Sequence, residues 1–354
     1  MAAFQFAAPT DSSRDLHKKG QQLLAGSASG RYADTPQLVQ AGLTVAAFLF
    51  VYVLLLASDP RHPTLFLAAL AGFLAYNILA IICHDASHGS FAKSGWINRL
   101  SLSAGFCLVG VSGKLWGKRH IQKHHVIPNV DGSKIDADST HLVRLNPFHR
   151  WHWWHCFQFL IAPFMYMFAL SRTAWLEDFR FLGEALRGTT SSKKRVSFLF
   201  EFSLCKVVHL TLALGLPLAI LDITTSQWLI GYFFFCATSS FMFVLVNIGT
   251  HSCDCAEYIQ PDENGKIPHD WATHQVLTSV DWAPRNRLAI LLTGGANSHT
   301  AHHLFPHAAH CHNAKLSLLA ADFARETGLR HNVTSFPGML LSHLRLLWKL
   351  SWKR

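Results

Sequence analysis

The sequence predicts an all-α integral membrane protein: four transmembrane helices in two hairpins, carrying a cytosolic helical cap. Composition, the placement of four long apolar runs and the sidedness of Lys and Arg predict it. Half of the 354 residues are hydrophobic, with 26 Phe and 11 Trp, and only 15% are charged. That balance leaves too little polar surface to cover a water-soluble domain.

The first run, residues 38–58, has no charged residue and at helical rise matches a hydrocarbon core of about 30 Å. A short DPRHP turn leads to the second, residues 64–83. Residues 207–223 and 227–247 form a second hairpin, with Lys206 and His209 near its start. Arg61 is the only Lys or Arg in the two short turns, whereas such residues abound in 1–37, 89–195 and 260–354. The positive-inside rule therefore places both termini and both long loops in the cytoplasm. Residues 1–37 form a cytosolic segment with no apolar core of signal-peptide length, and 38–320 form one membrane domain with its cap at 84–202 and 248–320. Residues 321–354 form a basic surface segment whose end reads as an amphipathic helix on the membrane surface. The apolar stretches 100–111 and 157–170, the latter preceded by WHWWH and interrupted by Pro163, are short for spans and read as interfacial helices. Were either to cross alone, the chain's histidine groups would fall on opposite faces of the membrane.

The net charge of +10 comes without basic runs interleaved with base-stacking aromatics, so a nucleic-acid partner is not expected. The eight cysteines show no paired framework, which fits a reducing compartment. Cys253 and Cys255 form a CxC that reads as structural, and the Asn332-Val-Thr sequon would stay unused in a cytoplasmic position. No P-loop, GxGxxG or GxSxG occurs, which argues against an ATP-driven transporter, an internal nicotinamide site and an ordinary lipase.

Histidine is the anomaly, at 23 residues against 21 Asp and Glu together. HDASH gives His84 and His88 at the end of the second run; HIQKHH gives His120, His124 and His125; HTAHH gives His299, His302 and His303. NIGTH adds Asn247 and His251. Each group holds members three to five apart, on adjoining positions of a helix. All lie on the cytoplasmic side of a topology drawn from hydropathy and Lys/Arg placement alone. Imidazole suits zinc, copper, iron and nickel, so ligand type leaves the metal open. These nine histidines exceed one tetrahedral zinc and suffice for two ions with open positions. Asp85, Asp136, Asp138 and Asp281 lie near the groups and could orient ring nitrogens. His141, His149, His152, His155, His307, His310 and His312 lack the arrangement and read as interfacial or supporting. No catalytic residue separate from the metal site is expected.

At these residues the sequence resembles the membrane fatty acid desaturase superfamily. HDASH, RHIQKHHVIPNVDGSKIDAD and GGANSHTAHHLFP resemble its three histidine boxes with their flanks, and NIGTH its additional Asn/His element, in order from about residue 40 to about 320. The resemblance implies four transmembrane helices under a cytosolic cap that holds two iron ions. It makes His84, His88, His120, His124, His125, His251, His299, His302 and His303 iron ligands, with Asn247 acting through a water. It further implies O2-dependent insertion of a carbon–carbon double bond into a fatty acyl chain bound as lipid, coenzyme A ester or carrier-protein ester. HTAHHLFP is closest to members that act between an existing double bond and the carboxyl end, although many of those carry Gln where this chain has His299. No His-Pro-Gly-Gly occurs, so the expected electron donor is a separate ferredoxin or cytochrome. A bacterial inner membrane is the preferred setting, with endoplasmic reticulum or plastid as alternatives. Related hydroxylases, acetylenases and carotenoid or alkane oxygenases keep the site and change the product. A histidine-rich metal transporter is the alternative of another class, and the scarcity of ionisable residues through the first, second and fourth runs counts against it.

Overall fold

The computed structural model describes residues 4–59, 64–133 and 142–352. Within them the chain is mostly helical, and five helices are long and apolar enough to cross a membrane: α1 (Thr35–Ala57), α2 (Thr64–Ser87), α3 (Trp153–Arg187), α4 (Ser192–Ile220) and α5 (Thr225–Thr250). Three further helices matter to the site: α6 (Trp271–Thr278), α7 (His299–Leu304) and α8 (Phe336–Trp352). A short parallel ladder pairs Asp281 with Val333 and Trp282 with Thr334. The chain divides into two compact units, the first comprising Met1–Ala33, His120–Pro163 and Val246–Arg354, the second Asp34–Arg119 and Phe164–Leu245.

In the second unit, α1 starts on an Asp34 cap that accepts from the Gln37 amide, with Pro36 in the first turn. Its outward residues are apolar: Leu43 is 67% exposed and Phe50 64%, as befits side chains in contact with lipid rather than water. Ala41, Phe48 and Val51 turn inward to meet Ala71, Ala75, Ile78 and Leu79 of α2. Small residues set these approaches. A Cβ on Gly72 would collide with the Phe235 carbonyl oxygen, and one on Gly105 with the Cys83 sulfur.

The expectation of four spans meets a fifth candidate. The stretch 157–170 reads as short because its apolar run is short, yet the helix around it runs on from Trp153 to Arg187. Its mean hydropathy, 1.3, is the lowest of the five, against 1.7 to 2.3 for the others. It is stitched from α, 3-10 and π turns, holds Pro163, and carries Arg180 paired with Glu177 at 2.7 Å. The stretch 100–111 forms the helix Gly95–Leu108, which bends by 108° into Gly113–His124.

The first unit has its own apolar core, in which Leu16, Ala272, Val276, Ala301, Leu304, Leu316 and Phe323 meet. Asp270 caps α6 through the Thr273 amide at 2.9 Å and also accepts the Thr10 amide at 3.0 Å, tying the N-terminal segment to it. Asn332, of the sequon, is buried.

Candidate metal centre

The third box is placed by its flanks. Gly295, at φ +99°, lies where a Cβ would come 2.7 Å from the His310 carbonyl oxygen, so only glycine serves there. Asn297 donates to the carbonyls of Trp282 and Ala283, fixing the entry to α7. Asp281, fully buried, accepts the Thr300 amide at 2.7 Å and so caps the helix that carries His299, His302 and His303. Its other oxygen meets Ser317 at 3.0 Å and His331 at 3.2 Å. This carboxylate therefore holds the backbone of α7, where the sequence suggested that it orients a ligand ring.

The second box sits in a five-residue π turn, His120–His124, closed by the His125 amide on the His120 carbonyl at 3.1 Å. A π turn shifts the angular phase of the residues after it, a device frequent at functional sites. His125 thereby meets His120, ring nitrogen to ring nitrogen, at 3.0 Å, while His124 turns to a different set.

Within the first unit the histidines sort into two sets. Ligand atoms of His124, His251, His299 and His303 all lie within 4.8 Å of one another. In the other set His125 Nε2 stands 3.0 Å from His120 Nε2 and 3.0 Å from His302 Nε2. Adjacent histidines thus divide: His124 from His125, and His302 from His303. His310, left outside the boxes on sequence grounds, packs its ring 5.0 Å from that of His302.

In the second unit His84 and His88 end α2, their rings 5.3 Å apart. A π turn at Leu79–Cys83 immediately precedes them. Asp85 accepts from Gln37 of α1 at 2.7 Å. Asn247, half-buried near the end of α5, offers its backbone carbonyl to the Thr250 hydroxyl. Asp136, Asp138 and His141 lie outside the described residues. Cys253 and Cys255 bring their thiols within 3.2 Å of each other, and none of the eight cysteines forms a disulfide.

The donor chemistry of the four-histidine set fits a cation. His251 Nδ1 faces the Thr278 carbonyl at 2.8 Å, and a carbonyl only accepts, so Nδ1 carries a proton and the ring in its neutral form presents its lone pair at Nε2. His303 does the same with Nδ1 on Gln275 Oε1 at 2.8 Å. The two Nε2 atoms nevertheless stand 3.0 Å apart. Two lone pairs at that distance repel, and a cation between them would convert the repulsion into coordination. Burial, then the neighbouring histidines, pushes the basicity of His299 and His303 well below the usual histidine range, which keeps them in the neutral form that a metal requires. At a metal–nitrogen bond of about 2.1 Å, ligands at right angles sit about 3.0 Å apart and tetrahedral ones about 3.4 Å. The observed 3.0 Å (His251–His303) and 2.9 Å (His251–His299) are within the reach of nitrogens sharing one ion.

Sequence reasoning missed Gln275 and the Thr278 carbonyl. Both are buried on α6, which contains no box. The one available signal was a polar Gln beside Ala272 and Val276, which mark the buried face of that helix.

Five long apolar helices and buried imidazole donor sets define a multi-pass membrane protein able to hold metal ions. A family model described as fatty acid desaturase matches residues 60–335. The chain is 30% identical over 284 residues to an sn-1 linoleoyl-lipid 6-desaturase of Arthrospira platensis, covering 78% of this chain and 76% of that protein. It is 26% identical over 331 residues to an enzyme of the same name from Synechocystis sp., covering 89% and 88%. An acyl-lipid (8-3)-desaturase of Physcomitrium patens shares 27% over 285 residues, 78% of this chain and 58% of that protein. The chain belongs to the fatty acid desaturase family and introduces double bonds into fatty acyl chains.

Proposed function

We propose that the chain is an acyl-lipid desaturase whose centre holds two irons and whose new double bond lies on the carboxyl side of an existing one. The converging Nε2 atoms of His251 and His303, each ring turning its Nδ1 to an acceptor, carry the metal reading. One iron takes His124, His251, His299 and His303. The other takes His120, His125 and His302; by resemblance to the family's histidine boxes, His84, His88 and, through a water, Asn247 are further iron ligands. The lipid-bound substrate and its regiochemistry rest on the names of the relatives and on the HTAHHLFP box.

A methylene C–H bond offers no acidic proton to a general base, and bound iron supplies the missing chemistry, oxidation by O2 with donor electrons. The side chains do the rest by placement. Thr278 and Gln275 hold the His251 and His303 tautomers, and Asp281 holds the helix that presents three histidines. A ferredoxin or cytochrome with an acidic face suits the chain's net charge of +10. Four helices cross the bilayer, a bacterial inner membrane by preference, and α3 lies along the interface on the strength of its lower hydropathy, its internal ion pair and the parity of the boxes, which leaves the centre on the cytosolic side.

The test is the fatty-acid profile of a host expressing the chain with a co-expressed donor, resolved by gas chromatography and mass spectrometry after double-bond derivatisation. A new species with an added double bond nearer the carboxyl end is expected, and its loss in His302→Ala. A hydroxylated or acetylenic product would replace the desaturase assignment, and an unchanged profile with donor and lipid-linked substrate present would contradict it.

A further inference from the structure

Helix α6 carries no residue of any histidine box, yet the four-histidine set leans on it at two points. Thr278 receives Nδ1–H of His251 through its backbone carbonyl, which no side-chain substitution can remove. Gln275 receives Nδ1–H of His303 through its side chain, one turn earlier on the same helix. The Gln275 amide nitrogen in turn reaches the Val126 carbonyl at 3.5 Å, just after His124 and His125. His274 beside it donates Nε2–H to the Pro128 carbonyl at 2.9 Å, fastening the same loop. Gln275 and His274 are fully buried, and Ala272 and Val276 anchor the helix in the apolar core.

We propose that Gln275 is a positioning residue for the metal-binding form of His303, and that it ties the second histidine box to the third. Its amide oxygen keeps the His303 proton on Nδ1, so that the lone pair of Nε2 faces the metal. Its amide nitrogen orients that oxygen, because the Val126 carbonyl can pair only with the NH2 end. A neutral amide does here what a carboxylate does in many histidine–metal sites, without adding negative charge to the centre.

The inference rests on the metal-binding role proposed for these histidines, and metal retention tests the two separately. Purified full-length protein loaded with ferrous iron is titrated with a chelator, and iron per chain is counted. Gln275→Leu, similar in volume but without the acceptor, should release iron at a chelator concentration about 10- to 100-fold lower than the unsubstituted protein. Gln275→Glu keeps an acceptor oxygen and should restore most of that retention. Gln275→Asn, one methylene short, should follow Leu and serves if the Leu variant does not fold. Size-exclusion profiles and unfolding midpoints of the metal-free variants show whether the fold is intact. Iron held equally by the Leu, Asn and unsubstituted proteins would overturn the role of Gln275 alone. So would a Glu variant that folds but loses iron like Leu. Unsubstituted protein that binds no iron would overturn the metal reading and this inference with it.

Discussion

The two units bury polar groups to different degrees. The second unit turns apolar side chains outward and packs inward through small ones, with Gly72 and Gly105 against the Phe235 backbone and Cys83. The first unit buries polar groups in quantity: His274, Gln275, Asp281, His302 and His303 are all fully buried. A polar atom in that position costs free energy unless it is paired, and here pairing runs through Thr278, Gln275, Pro128, Thr300 and Ser317. The contrast teaches that substitutions should be graded by different rules in the two units: by fit in one, and by the hydrogen bond lost in the other.

The largest effect falls on the donor sets. His303→Ala should lower desaturation by more than about 100-fold while membrane insertion stays intact, measured by product yield per inserted protein. Next comes Asp281→Ala, which strands the Thr300 amide, Ser317 and His331. It should cost about 3 to 5 kcal/mol, read as a fall in the unfolding midpoint in detergent, and a near-neutral result would break the contrast.

Acid should act on the first unit through its buried neutral histidines. His343, pushed down to about 4 by burial while donating to the Ser252 carbonyl, takes up a proton near its ordinary value of 6.5 only when unfolded. Its contribution is therefore intact above pH 6.5 and is lost as the pH falls from there to about 4, roughly 3 kcal/mol in all. His343→Gln should flatten that part of the pH–stability curve. In the second unit Gly72→Ala forces a Cβ against the Phe235 carbonyl and should cost about 1 to 3 kcal/mol by thermal unfolding. Leu43→Ala, on the outward face of α1, should stay within about 0.5 kcal/mol in the same assay.

The contrast also explains which features were legible in the sequence. The cores of the long helices show in hydropathy because lipid-facing residues must be apolar, and α1 at Thr35–Ala57 lies close to the run 38–58. Their extents show less well. Helix α4 begins at Ser192, well before the apolar run, because Lys193, Lys194, Arg195 and Glu201 mask a continuing helix. Histidine spacing marks the ligand candidates, yet it cannot assign them to centres. His124 and His125 part company through a π turn, and no window of composition encodes that change of phase. Gln275 is a single polar residue whose meaning comes from His303, 28 positions away.

The central claim is that neighbouring histidines serve different metals. Iron per chain, counted in His302→Ala and His303→Ala against the unsubstituted protein, tests it most directly. Two irons are expected in the unsubstituted protein, one in each single variant and none in the double variant. Loss of both irons from either single variant, with the fold intact, would contradict the division.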